Sequence, residues 1–107
     1  MVLVLTITRF PISKGREVSE RYIAVEKEFP PDRSLSKVIL RLAARIDGDE
    51  IEGIGLSEVK EGKYEEFLKR MMKITLKYAD IGGFSSKSEV FLSGVDALPM
   101  VGLEMPE

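Results

Sequence analysis

The turn sequence Asp47-Gly48-Asp49 lies between two runs of residues that both suit β-strands, and it constrains the fold more than any other feature. Apolar side chains recur at every second position in residues 36–46, although this run would also suit one face of a helix. Residues 50–59 have strand character as well. Because a glycine turn between two strand-like runs is typical of a β-hairpin, we interpret the first run as a strand and the whole segment as a hairpin.

A second pattern is helical. Residues 60–79 place six apolar side chains on one face, namely Tyr64, Phe67, Leu68, Met71, Ile74 and Tyr78. Glutamates lie near the start of this segment and basic residues follow, which matches the dipole of a helix. Gly82-Gly83 then supplies an end signal. The pattern predicts one amphipathic helix.

Residues 14–29 allow two interpretations. As a helix they put Val18, Tyr22, Val25 and Phe29 on one stripe, with spacings of four, three and four residues. If the segment is a strand, apolar and polar side chains alternate over part of it, but Lys27 interrupts the alternation. We favour the helix; a strand here would instead give a mostly antiparallel sheet with a single helix.

Two more strand-like runs, residues 2–9 and 86–93, complete the chain. The resulting order is strand, helix, strand, strand, helix, strand, which is the βαββαβ order of a ferredoxin-like plait. The sequence therefore predicts one α+β domain over residues 1–107, with a four-stranded antiparallel sheet and two helices on one face. Residues 94–107 are too apolar to extend into water, so we expect them to form a C-terminal arm.

The residue types that are missing exclude several kinds of chemistry. The chain has no Cys and no His, so disulfides, thiolate nucleophiles, zinc–thiolate sites and histidine general bases are absent. We expect no metal and no cofactor. The formal net charge is -2, whereas nucleic-acid binders usually carry a basic stripe. Only Phe91 is placed for stacking on RNA bases, so binding to nucleic acid is not expected.

Composition also bears on origin and location. The chain lacks Asn and Gln and is 32% charged, a bias typical of proteins from heat-loving organisms. Its longest apolar run, residues 2–8, is far shorter than the about 20 residues that span a bilayer. No basic segment of a signal peptide precedes it. We therefore expect a cytoplasmic protein without a membrane segment.

In the predicted plait one face of the sheet is left without helices. From the alternation of side chains we expect this open face to hold Thr6, Thr8, Arg41, Ala43, Arg45, Gly53, Gly55, Ser57, Glu89 and Phe91. Such a face can be solvated, can pair with a second sheet, or can line a ligand cavity. The apolar, strand-like C-terminal arm favours pairing, because without a partner it would be an exposed apolar patch.

The stretch Glu58-Val59-Lys60-Glu61-Gly62-Lys63, the helix after it, Gly83-Phe84 and Glu89-Val90-Phe91-Leu92 together resemble the second half of dimeric α+β barrel proteins, in particular small archaeal members. The likeness covers roughly residues 50–103. It implies a homodimer or larger assembly with a cavity between sheet and helices. Enzymes of this superfamily often use His, Trp or Asn for haem binding or cofactor-independent oxygenation, and this chain has none of the three.

Two arginines are the leading candidates for ligand binding. Arg41 and Arg45 lie on one predicted strand face, with Arg9 nearby, and together they could clamp a carboxylate or phosphate. Alternatively they pair with glutamates across the sheet. The hydroxyls of Tyr22, Tyr64 and Tyr78 could enter a cavity or lie at the rim of the core. Gly53 and Gly55 would leave room for a ligand, or would let the strand coil.

Three functions fit these residues. The first is a homo-oligomeric protein that binds an anionic or aromatic small molecule near Arg41, Arg45, Tyr64 and Glu89. The second is an enzyme of the same fold that works without a cofactor, with Glu58 or Glu89 as a general base whose pKa burial would raise. The third is an assembly or interaction module without chemistry of its own. No catalytic residue stands out, and the sequence does not decide whether the protein is an enzyme.

Overall fold

The computed structural model describes all residues, 1–107, and contains one four-stranded sheet with two main helices. Its elements in chain order are β1 (Val2–Pro11), a 3-10 turn (Ile12–Lys14), α1 (Gly15–Glu28), β2 (Ser36–Asp47), β3 (Glu50–Val59), α2 (Tyr64–Leu76), β4 (Ser85–Leu92), α3 (Gly94–Ala97) and a second 3-10 turn (Leu98–Val101). None of the helices combines the length and the apolar character needed to cross a bilayer.

The sheet has the strand order β2-β3-β1-β4, with all neighbours antiparallel. This is the arrangement of a ferredoxin-like plait, so the predicted α+β architecture is confirmed. The hairpin of β2 and β3 is confirmed too, with Gly48 in the left-handed region at φ 64°. Residues 14–29 are helical over Gly15–Glu28, as favoured, and the second helix covers Tyr64–Leu76 within the predicted range.

Both helices lie on one face of the sheet and form two separate core clusters with it. One cluster joins Phe10 of β1 to Val18 and Val25 of α1 and to Tyr78 and Ile81 after α2. The other joins Val4 of β1 to Val59 of β3 and Phe67 of α2. Since Val4 and Phe10 lie on the same face of β1, the helix-facing side of this strand is core at both ends.

Between these two core positions, Thr6 and Thr8 also face the helices, which corrects the predicted open face. Thr6 is opposite Gly55 and Thr8 is opposite Gly53, so these glycines lie on the helix side as well. Ser57, opposite Val4, is on the helix side too. The prediction put these residues on one face correctly but chose the wrong side of the sheet for them, because the more apolar set of β1 side chains was assigned to the core. In the structure that set, Leu3, Leu5 and Ile7, lies on the other face.

The outer face of the sheet, which no helix covers, has an apolar centre and a charged rim. Leu5 is opposite Leu56, and Leu56 is opposite Leu40. The remaining apolar members of this face are Leu3, Ile7, Ala43, Ile54 and Phe91, and Arg45 and Glu89 are among its charged members. The predictions that placed Ala43, Arg45, Glu89 and Phe91 on the helix-free face are therefore right.

The C-terminal segment is not strand-like, contrary to the prediction for the arm. It forms α3 and a 3-10 turn, and Gly102 ends the turn in the left-handed region at φ 78°. The N-terminal ammonium group forms an ion pair with Asp96, and the Ser93 amide donates to the Met1 carbonyl. The segment thus packs beside the start of β1, while several of its apolar side chains stay exposed: Val95, Met100, Val101, Leu103 and Met105.

Candidate functional site

A cavity of about 460 Å³ separates the two core clusters, between the sheet and the two helices. Its floor is the helix side of β1, β3 and β2, and its walls come from α1 and α2. The volume lies within the range of about 300–1,000 Å³ that is usual for small-molecule sites. The helices bury apolar side chains at both ends of the sheet but leave its middle unfilled.

The floor of the cavity is made of small side chains. Thr6 and Thr8 lie beside Gly55 and Gly53, with Ser57 and Ser86 nearby. A side chain at Gly55 would come within 3.3 Å of the Arg41 carbonyl oxygen, so the close approach of β2 accounts for that glycine. A Cβ at Gly53 would lie 3.0 Å from the Thr8 hydroxyl. Because these residues are small, the floor lies too far from the helices for direct packing.

Polar side chains converge on one side of the cavity. Arg41 of β2 reaches α1 and forms an ion pair with Glu26, with Nη2 and Oε2 2.8 Å apart. Tyr22 lies one helical turn before Glu26 and also lines the cavity. Burial and the charge of Glu26 raise the pKa of Tyr22, and Arg41 opposes this shift. A few converging polar groups in a mostly apolar cavity are typical of a binding site.

Tyr78 adds a fourth polar group, and its hydroxyl is free. The residue is only 7% exposed, and its ring stacks on Phe84 with centroids 4.7 Å apart. The hydroxyl makes no hydrogen bond within the protein. Every fully buried side-chain oxygen does have a partner, so this hydroxyl is not fully buried. The hydroxyl therefore keeps some accessible surface, and Tyr78 lines the cavity near Tyr22 and Glu26. Burial, Glu26 and Tyr22 raise the pKa of Tyr78 to about 12, so it is a neutral donor at physiological pH.

The other two charged residues at the cavity are Arg70 and Asp32. Arg70 donates to the Pro30 carbonyl oxygen, and its guanidinium carbon lies 5.7 Å from the centre of the Phe29 ring. The hydroxyl and amide of Ser34, followed by the charge of Arg70, hold the pKa of Asp32 below its usual value. With Arg41 and Glu26, the cavity is thus lined by two positive and two negative side chains.

The structure brings only one of the four predicted ligand residues to this cavity. Arg41 lines it, whereas Arg45 lies on the outer face and contacts Glu52, with Nε and Oε1 3.1 Å apart. Tyr64 packs against the cluster around Val4, outside the cavity. Glu89 lies on the outer face and pairs with a neighbouring lysine.

Two irregularities in β2 explain why the arginines separate. The register of β2 against β3 shifts between Val38 and Leu40 and again between Leu40 and Ala43. Each bulge inserts an extra residue, so simple alternation fails across this segment. Arg41 therefore points to the helices and Arg45 to the outer face, and the predicted clamp of both arginines on one face is wrong.

The bulges were not visible in the alternation pattern, and Glu26 was missed as a site residue. Its signal was the spacing of four between Tyr22 and Glu26, which puts both on one side of α1. Arg9 does not join Arg41 either: it binds Asp47, Glu50 and Glu52 at the hairpin end of the outer face. Glu58, the other proposed general base, lies opposite Leu3 on the outer face, so neither predicted base is near the cavity.

Comparisons with known proteins give the fold alone. No protein-family model matches the chain, and no curated protein does. Among solved structures, a de novo designed protein, Foldit4, is similar with a TM-score of 0.53 and 16% sequence identity. The match covers 86% of this chain and 97% of the designed one. This likeness supports the plait architecture and carries no function.

Proposed function

We propose that this protein binds a small, mostly apolar molecule in the cavity between the sheet and the helices. The observation that carries the proposal is the division of the core into two clusters with about 460 Å³ of space between them. A concave space of this size, with small residues on its floor and a few polar groups on one side, has the features of a small-molecule site.

The proposal is tested with a neutral fluorescent probe, N-phenylnaphthylamine. We expect saturable binding of one probe per chain, with enhanced emission. Thr6→Leu, which fills the middle of the floor, should weaken binding at least about tenfold, because the probe and the added side chain compete for one space. Thr6→Val is the matched control, since it keeps the volume of threonine, and it should bind as the wild type does. If Thr6→Leu bound the probe unchanged, the cavity would not be the site.

We further propose that two copies pair through their outer sheet faces. Only ten of the 107 residues are buried in the single chain. Leu5, Leu40 and Leu56 form the centre of an apolar face, and Phe91 beside them is 47% exposed. Charged residues of both signs surround this centre, so two copies can meet in an orientation that brings opposite charges together. The resemblance to dimeric α+β barrel proteins supports the same arrangement.

Sedimentation velocity tests this pairing. Ile7→Glu introduces a charge into the apolar centre of the outer face, next to Lys87, and should convert a dimer into a folded monomer. Ile23→Glu makes the same change at a 56% exposed position on α1 and should leave the dimer intact. A wild-type protein that sediments as a monomer at high micromolar concentration would refute the pairing without affecting the cavity.

A further inference from the structure

We propose that the ligand of the cavity is electrically neutral and carries a carbonyl or similar oxygen that accepts a hydrogen bond from the Tyr78 hydroxyl. This inference rests on the proposed function and specifies its ligand class. It also departs from the expectation of an anionic ligand held between Arg41 and Arg45, because Arg45 does not line the cavity.

The charges around the cavity favour a neutral ligand. Arg41, whose side chain is 60% exposed, is already paired with Glu26, whose side chain is 28% exposed, and Arg70 is bonded to a backbone carbonyl. A free carboxylate or sulfonate entering this space would lose part of its hydration and would meet the Glu26 carboxylate beside Arg41 or the Asp32 carboxylate near Arg70. A neutral molecule leaves the Arg41–Glu26 pair intact and loses little hydration on entry.

Tyr78 supplies the directional contact. Its ring is fixed between the core and Phe84, so little side-chain entropy is lost when a ligand binds to its hydroxyl. The free hydroxyl is a donor without a protein partner, and burial, followed by the charge of Glu26, raises the pKa of the phenol. At physiological pH this group therefore offers an O–H donor in apolar surroundings. A carbonyl oxygen on the ligand is the complementary group.

Three fluorescent probes separate the elements of this proposal. N-phenylnaphthylamine is neutral and has no carbonyl, anilinonaphthalene sulfonate has the same aromatic frame with an added anion, and prodan is neutral with one carbonyl. We expect the sulfonate to bind at least about tenfold more weakly than its neutral counterpart, because its charge must be buried. Equal or tighter binding of the sulfonate at the same site would overturn the assignment of a neutral ligand.

The Tyr78→Phe variant tests the hydrogen bond. It keeps the ring that stacks on Phe84 and removes only the hydroxyl. Affinity for prodan should fall by about three- to tenfold, the usual worth of one hydrogen bond, and prodan emission should shift to the blue. Affinity for N-phenylnaphthylamine should stay within about twofold, as expected for a probe that makes no such bond. Tyr64→Phe is the matched control, since that tyrosine lies outside the cavity.

The outcomes distinguish this inference from the proposed function. If no probe binds saturably, or if Thr6→Leu leaves all three affinities unchanged, the binding cavity itself is refuted. If the neutral probes bind in the cavity but prodan is insensitive to Tyr78→Phe, the role of the hydroxyl is refuted and the binding function stands. The affinities of the variants are compared only after circular dichroism has shown that each variant has the secondary structure of the wild type. The comparison of N-phenylnaphthylamine with anilinonaphthalene sulfonate uses the wild-type protein alone, so it does not depend on the folding of any variant.

Discussion

Thr6→Leu should stabilise the protein, and the sign of this effect tests whether the cavity exists in solution. Thr6 lies at the middle of the floor, between the core positions Val4 and Phe10 of the same strand. Leucine replaces a hydroxyl with a methyl group and adds one carbon. At about 0.8 kcal/mol for each buried CH₂, the gain is roughly 1–2 kcal/mol. Loss of side-chain entropy and of β-propensity removes about half of this.

The expected net gain is about 0.5–1 kcal/mol, which corresponds to a rise in melting temperature of about 2–8 °C for a domain of this size. Urea unfolding followed by circular dichroism measures the free energy, and calorimetry gives the melting temperature. If the helices closed onto the sheet in solution, the larger side chain would overpack the core and would cost about 1–3 kcal/mol. A clear destabilisation by Thr6→Leu, with Thr6→Val unchanged, would therefore refute the cavity.

Three further predictions concern the surrounding structure. Gly83→Ala should lower the unfolding free energy by about 2 kcal/mol or more, because left-handed backbone strains alanine and its Cβ would lie 2.7 Å from the Pro11 ring. Gly82→Ala, with open space around it, should cost little in the same urea titration. The pKa of Tyr78 is about 12 in the folded protein and 10 in the unfolded chain. Between these pH values the unfolded chain binds fewer protons, so the unfolding free energy should fall by about 2–3 kcal/mol. Tyr78→Phe should remove this fall in melts at alkaline pH. Arg21 lowers the pKa of Asp80 to about 2. The stabilising effect of this ion pair is therefore present above the normal pKa near 4 and is lost as the pH falls towards 2. Asp80→Asn should flatten that part of the acid titration.

The order of elements could be derived from the sequence because each has a strong local signal. The glycine turn at Gly48 sets the hairpin, and the apolar stripe of residues 60–79 sets the second helix. The helix over residues 14–29 followed from the spacing of its apolar residues. The βαββαβ order then leaves few arrangements of the sheet. These parts depend on neighbours in sequence, which is why the pattern sufficed.

The faces of the sheet could not be derived, because they depend on pairing between distant strands. The usual rule assigns the more apolar face of a strand to the core, and β1 breaks that rule: Leu5 faces outwards and Thr6 faces the helices. A cavity lined by threonine and glycine looks like a solvent-facing surface in the sequence. The two bulges in β2 have no sequence signal of their own, and they decide that Arg41 enters the site and Arg45 does not.

Chemical-shift mapping by methyl NMR tests the central claim most directly, because it shows where a small molecule binds. On titration with N-phenylnaphthylamine, the methyl groups of Val18, Met71 and Ile74, which line the cavity, should shift together and saturate at one probe per chain. Those of Leu5 and Ile7, on the outer face, should not. Shifts confined to the outer face would mean that the probe covers an exposed apolar surface, and the account of a binding cavity would be wrong.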